Sequence, residues 1–245
     1  MNAFRGLLTE APGKAGQPRV TPIREQFRGT APSAVAAARD ERVVDQQERD
    51  EQVHDEQIQA LIRQLFFRHE SRAVRHVGFS PIEALTETAT LCLAVAKALA
   101  AEERYDVGLI DAHSDSVRLQ THLKIPCASR AEPTWPIAPH LWLVPRQSWL
   151  PDACGQRATD QNLTRLRELT MEFDFSILWC APVSWLAASI GLACDGLVLV
   201  LTANKTRRLV AAQIKDQLSK ARVPLLGTVL AERRFPVPQG LYRNL

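Results

Sequence analysis

The sequence predicts an α/β protein with a doubly wound, mainly parallel sheet, helices on both faces and a flexible arm at the N-terminus. Two observations predict this class. Several short runs, such as residues 175–180 and 196–202, are continuously apolar, as strands buried on both faces are. Segments of helical character alternate with these runs, and this alternation is typical of a parallel sheet.

The elements follow in chain order. Residues 56–67 place their apolar side chains on one helical face, and residues 84–103 are rich in alanine and leucine without glycine or proline. Both patterns predict helices. We predict further helices at 161–173 and 204–221, and strands at 74–79, 106–112, 141–144, 175–180, 196–202 and 224–232.

The composition changes along the chain and indicates where the folded domain begins. Residues 1–38 contain prolines and glycines but few large apolar groups, so they bury too little surface to offset the entropy of ordering. Residues 39–57 are mainly acidic and polar. We therefore predict an arm and acidic connector over 1–55 and a folded domain over 56–245.

Composition also excludes several classes of protein. The net charge of +3 is too small to indicate nucleic-acid binding. The five cysteines are odd in number and form no C-x-x-C pair, which argues against a disulfide scaffold and a structural zinc site. No apolar run reaches the roughly 18 residues that span a bilayer. We expect a cytoplasmic protein without a transmembrane segment.

Ligands of such sheets bind at the carboxyl ends of the strands, so three loops matter. The loop after residue 79 lies where a phosphate-binding loop would be, yet it has neither the glycines nor the lysine that phosphate requires. It offers the hydroxyls of Thr86, Thr88 and Thr90 near a helix N-terminus. These groups indicate a weak anion site at best.

The other two loops hold one aspartate, one histidine and one tryptophan of interest. Asp111 ends a strand and fits either a nucleotide-site aspartate or a turn or capping aspartate. His113 follows it, but nothing else in the sequence completes a metal site. Trp179 and Cys180 end the strand at 175–180, and neither side chain supplies the carboxylate that magnesium would need. We interpret Cys180 as a buried thiol.

Residues 56–240 resemble the cytoplasmic domain of bacterial tyrosine autokinases, which regulate capsule and exopolysaccharide synthesis. These kinases belong to the deviant-Walker P-loop ATPases, together with the partition and division-site proteins of the ParA and MinD type. The resemblance implies a P-loop NTPase-like fold. It rests on the order of six segments, EQIQALIRQLFF, VRHVGFS, LAVAKALA, VGLIDAH, FDFSILWCAPV and CDGLVLVLTANKTRRLVAAQIKDQL, the last followed by VPLLGTVLAE.

The chain departs from this family where the family does its chemistry. By register, the Walker A motif falls on residues 85–89, where Thr88 stands in place of the lysine. In the Walker A′ motif Asp111 is kept, but His113 replaces the second aspartate. In the Walker B motif Trp179 replaces the aspartate. The resemblance therefore implies a vestigial nucleotide pocket, with no catalytic residue, metal or cofactor.

We expect a pseudoenzyme that acts as a regulatory or scaffold subunit in exopolysaccharide biosynthesis and export. Its partner would be a membrane polysaccharide copolymerase or a related kinase, which would attach it peripherally to the inner membrane. One alternative is a spatial organiser of the partition or division-site type. Another is a divergent ATPase with a relocated site that uses Lys97, Lys124 or Lys205.

Two regions are candidates for contacts with a partner. The first predicted helix keeps Glu56 but lacks the family's two arginines, and its apolar face, with Ile62 and Phe66, packs either inside the domain or on another protein. Packing inside the domain is the simpler outcome. Trp142 and Arg146 lie in a proline-rich stretch that either anchors on the sheet edge or docks a partner.

The C-terminal tyrosine cluster of the family is reduced here to a single residue. Tyr242 is the one tyrosine near the C-terminus. We expect no autophosphorylation at this position, because the metal shell that would support it is missing. Tyr242 remains a candidate phosphosite for a partner kinase.

Overall fold

The structure, a computed structural model, describes residues 52–67, 73–83, 87–113, 119–124, 134–150 and 159–231. These residues all belong to one compact unit, Arg49–Leu245, and none of the second unit, Met1–Glu48, is among them. The predicted arm thus lies outside the described residues up to position 51. A helix already covers residues 52–55, at the end of the predicted connector.

Seven strands form one sheet in the order β3-β4-β2-β5-β1-β6-β7. Every neighbouring pair is parallel except β3 and β4, which run antiparallel at one edge. The strands are β1 (His76–Pro81), β2 (Val107–Ala112), β3 (Trp135–Ala138), β4 (Leu141–Val144), β5 (Phe175–Cys180), β6 (Gly196–Thr202) and β7 (Leu225–Ala231).

Helices connect most of these strands. They are α1 (52–66), α2 (Glu87–Ala100), α3 (Leu119–His122), α4 (Asp160–Thr170), α5 (Trp185–Ala193) and α6 (Arg208–Lys220), with a 3-10 turn at Arg146–Ser148. None of the helices in the described ranges has the length and apolar character needed to cross a membrane.

The core has two layers, one on each face of the sheet. Strand β5 shows why, because successive side chains of a strand point to opposite faces. Ile177 and Trp179 pack in one buried cluster with α1 and α2, whereas Leu178 and Cys180 pack in the other with α4, α5 and α6. The predicted doubly wound sheet with helices on both faces is confirmed.

Three elements were not predicted from the sequence. The strand β3 contains Pro136, which is tolerated because β3 is an edge strand. The helix α5 is apolar on all sides and therefore has no stripe to detect; its start is marked by Ser184, whose hydroxyl accepts a hydrogen bond from the N–H of Ala187 at 3.4 Å. The third, α3, is only four residues long.

Candidate functional site

The carboxyl ends of β1, β2 and β5 lie side by side along one side of the sheet, which we call the carboxyl edge. Strand β5 lies between the other two, and Trp179 pairs with Phe79 of β1 and with Asp111 of β2. The three loops identified in the sequence therefore converge. Ser80 ties two of these ends together, since its hydroxyl donates to the carbonyl of Ala181 at 2.8 Å.

Asp111 is 1% exposed, and its carboxylate accepts hydrogen bonds from two backbone N–H groups that follow it in the chain. Oδ1 accepts from the N–H of His113 at 3.1 Å, and Oδ2 accepts from the N–H of Leu119 at 2.9 Å, in the first turn of α3. The carbonyl of Asp111 also accepts from Trp149 Nε1 at 2.9 Å. The carboxylate thus binds the N–H of His113 and caps the start of α3, which is the turn and capping role that the position of Asp111 in the sequence allows.

The indole of Trp179 stacks with the imidazole rings of His113 and His122. The ring centroids of His113 and Trp179 are 4.4 Å apart with an interplanar angle of 24°, and those of His122 and Trp179 are 5.9 Å apart at 19°. We call these three rings the ring stack (His113, Trp179 and His122). Trp179 is only 4% exposed, so the indole is part of the core at this edge.

The start of α2 completes the edge. Thr88 is fully buried, and its hydroxyl has no hydrogen-bond partner among the described residues, whereas Thr90 is exposed. Thr86 lies outside the described residues. Like the hydroxyl of Thr88, Trp179 Nε1 and Gln120 Oε1 are buried and have no hydrogen-bond partner in the described part of the chain.

Two groups at this edge were missed by sequence reasoning. His122 and Gln120 both lie on α3, the short helix that Asp111 caps. A four-residue helix has no periodicity to detect, and stacking of His122 on Trp179 joins residues far apart in sequence. No local signal would have found either residue.

Cys180 follows Trp179 on β5, packs on the opposite face of the sheet and is fully buried. Burial raises the pKa of its thiol well above the ordinary value, and the nearby Cys194, Cys92 and Asp111 raise it further. A thiol in this environment is not ionised, so it is a poor nucleophile. Within the described ranges, no group of three His, Cys, Asp or Glu side chains is arranged to hold a metal ion.

The candidate partner residues on α1 fall into two groups. Ile62 and Phe66 are buried in the domain, with the ring of Phe66 edge-on to Phe175 at 5.3 Å, so they are core residues rather than surface contacts. Glu56 is exposed. The apolar face of this helix therefore packs within the domain.

The proline-rich stretch is also anchored on the sheet. Trp135 and Trp149 are buried, while Trp142 is half-buried, with its ring 6.1 Å from that of Phe173. Arg146 is half-buried in the 3-10 turn. Tyr242, the candidate phosphosite, lies outside the described residues.

Comparison with known proteins gives structural matches only. No family model matches the sequence, and no curated protein does. The VpsO kinase domain matches with a TM-score of 0.59 at 13% identity, over 76% of this chain and 98% of that one. The kinase domain of the Escherichia coli tyrosine kinase ETK matches with a TM-score of 0.57 at 15% identity, over 75% and 79%.

A ParA family ATPase from Chlorobium tepidum also matches, with a TM-score of 0.54 at 15% identity over 70% of this chain and 79% of that one. Identities this low establish a common fold and nothing more specific. The chain therefore has the P-loop NTPase-like fold that is found in bacterial tyrosine-kinase domains and in ParA-type ATPases.

Proposed function

We propose that the protein is a non-catalytic pseudo-ATPase that serves as a regulatory or scaffold subunit in exopolysaccharide biosynthesis and export. One observation carries the proposal: a buried tryptophan, stacked with two histidines, lies at the end of β5. In the kinases that the sequence resembles, this strand end presents an aspartate to magnesium.

The chemistry of phosphoryl transfer supports the non-catalytic part. Such transfer depends on electrostatic positioning of the phosphates by a lysine, magnesium and its ligands. Removing one preorganised donor from an oxyanion hole raises a barrier by about 3–4 kcal/mol, and by analogy the loss of several phosphate-binding groups raises it further. Here Thr88 replaces the lysine, Trp179 replaces a carboxylate, and both oxygens of Asp111 bind the backbone.

The pathway and the partner come from the resemblance to capsule and exopolysaccharide kinases. The chain keeps the fold of such a domain, and Glu56 on α1 is exposed and available for a contact with a partner. We propose a membrane polysaccharide copolymerase or a related kinase as that partner. Binding to it would place the protein peripherally at the inner membrane.

Isothermal titration calorimetry with Mg-ATP and Mg-ADP tests the non-catalytic part. We expect no measurable heat of binding from the purified full-length chain. A dissociation constant in the micromolar range would overturn the proposal. Light scattering with and without ATP provides a second readout, and a mass that doubles on addition of ATP would contradict it as well.

Complementation tests the biological part. Deleting the gene should lower the amount of exported polysaccharide, and the unaltered gene should restore it. A Thr90→Ala variant, which removes an exposed hydroxyl at the start of α2, should restore export equally well. Undiminished export after deletion would exclude a role in this pathway.

A further inference from the structure

A cavity lies at the amino ends of β1 and β6, on the side of the sheet opposite to the strand ends that hold Asp111 and Trp179. It has a volume of about 710 Å³, which falls in the usual range for pockets that hold small molecules. Ligands of open α/β sheets usually bind at the carboxyl ends, so the fold does not account for this cavity. Its lining includes His76, Thr164, Arg167, Met171, Leu192 and Asp195.

The walls of the cavity combine apolar and polar groups. Met171 is 71% exposed and Leu192 is 50% exposed, so two large apolar side chains border the space without being buried. His76 contributes Nδ1, which is buried and has no hydrogen-bond partner among the described residues. A pocket of apolar walls with a few convergent polar groups is typical of a small-molecule site.

The two acids at the cavity already have partners. Glu168 forms an ion pair with Arg165, with 3.2 Å between Oε2 and Nη1. Asp195 Oδ2 accepts the backbone N–H groups of Arg75 at 2.8 Å and of His76 at 2.9 Å. Both carboxylates therefore meet donors from the protein itself.

The charged side chain of Arg167 has only backbone carbonyl oxygens as its hydrogen-bond partners among the described residues. Its Nε and Nη2 donate to the carbonyl oxygens of Ala193 and Leu192, each at 3.3 Å, at the end of α5. A guanidinium has five N–H donors, and in the described part of the chain no carboxylate pairs with this one. Arg167 therefore retains N–H donors beside the cavity, and no carboxylate of the described residues forms an ion pair with it.

We propose that this cavity binds a small organic carboxylate with an apolar body. The carboxylate would accept hydrogen bonds from Arg167 and from His76 in the tautomer that carries its proton on Nδ1, and the apolar body would cover Met171 and Leu192. Arginine suits this ligand because its planar donors match a carboxylate. The site is independent of the proposed pseudo-ATPase function and of the carboxyl edge.

Met171 provides a direct reporter for a test. The chain contains two methionines, Met1 and Met171, so labelling with ¹³C-methyl methionine gives two signals, of which one lies at the cavity. Titration of the full chain with 4-phenylbutyrate should shift the Met171 signal in a saturable way. The uncharged 4-phenylbutyramide should bind about tenfold more weakly, because it lacks the charge that Arg167 recognises.

A variant pair separates Arg167 from a general effect of charge. Arg167→Gln should weaken binding of 4-phenylbutyrate about tenfold, whereas Lys215→Gln, the same charge change on the exposed side of α6, should leave it unaltered. The proposal fails if 4-phenylbutyrate causes no saturable shift. It also fails if the unaltered chain binds the amide as tightly as the acid, a comparison that does not depend on the folding of any variant.

Discussion

The indole of Trp179 stacks on the imidazole of His113, with 4.4 Å between the ring centroids. On the proposed function, both rings replace carboxylates of the kinases that the sequence resembles, so two residues that would bind a cation have become two rings that contact each other. Parallel stacking of this kind contributes favourably beyond the area that the rings bury. The edge is therefore stabilised by packing.

Removing the indole should destabilise the domain. Trp179→Ala leaves a cavity in the core and removes both stacking contacts, so we expect a loss of about 3–5 kcal/mol in the free energy of unfolding. Trp179→Phe keeps an aromatic ring and should cost clearly less. Urea denaturation followed by circular dichroism measures both. A loss below about 1 kcal/mol for the alanine variant would show that the ring stack contributes little.

Asp111 should behave as a structural residue. Asp111→Ala leaves the N–H groups of His113 and Leu119 without their acceptor, so we expect a loss of about 2–4 kcal/mol in the free energy of unfolding. Asp111→Asn keeps one acceptor oxygen and should cost less. Thermal and urea unfolding of the purified variants provide the measurement. Equal stability of all three proteins would exclude the capping role.

Gly196 should resist substitution by alanine. Its φ is +155°, and a Cβ at this position would lie 2.6 Å from the carbonyl oxygen of Pro224, a backbone atom that cannot turn away. We expect Gly196→Ala to lower the free energy of unfolding by about 2 kcal/mol or more. Gly227→Ala is the matched control, because a Cβ there would meet nothing within 4 Å. Similar losses at both positions would contradict this explanation.

Stability should fall in mild acid because of His76. Burial lowers the pKa of this imidazole, an effect that Asp195 opposes and Arg75 reinforces. The unfolded chain, with a histidine pKa of about 6.5, then binds more protons than the folded one between the two pKa values. The stability that His76 contributes is thus present above about pH 6.5 and is lost as the pH falls below it.

Urea unfolding at pH 7.5 and at pH 5.5 measures this effect. The difference in unfolding free energy between the two pH values should become smaller in His76→Asn, which retains a polar group near the position of Nδ1. His54→Asn, on the exposed side of α1, controls for the loss of an imidazole as such. An unchanged difference in His76→Asn would show that another group is responsible.

Six of the seven strands were predictable because each carries its own signal. A run such as 197–201, apolar at every position, has few alternatives once helices flank it. The meeting of Asp111 and Trp179 was also predictable, since parallel strands bring their carboxyl ends to one edge. The stacking of His122 was not, because it depends on how α3 sits over β5, and sequence periodicity does not specify such an approach.

The cavity at the amino ends of β1 and β6 shows the same limit of sequence-based prediction. Its groups come from the ends of α4 and α5 and from the start of β1, and no motif joins His76 to Arg167 or Met171. The helix α5 that borders it was not predicted at all, because an evenly apolar segment has no amphipathic stripe. Local pattern identifies elements, whereas the spaces between their ends depend on the assembled fold.

The burial of Trp179 also limits what can replace it during evolution. An aspartate here would place an ionisable carboxylate at a position that is 4% exposed and would remove the stacking with both imidazoles. On the proposed function, any evolutionary path toward a magnesium site at this strand end would therefore begin with a destabilising step. Exposed residues such as Glu56 carry no such penalty, so they are the positions that selection can vary freely.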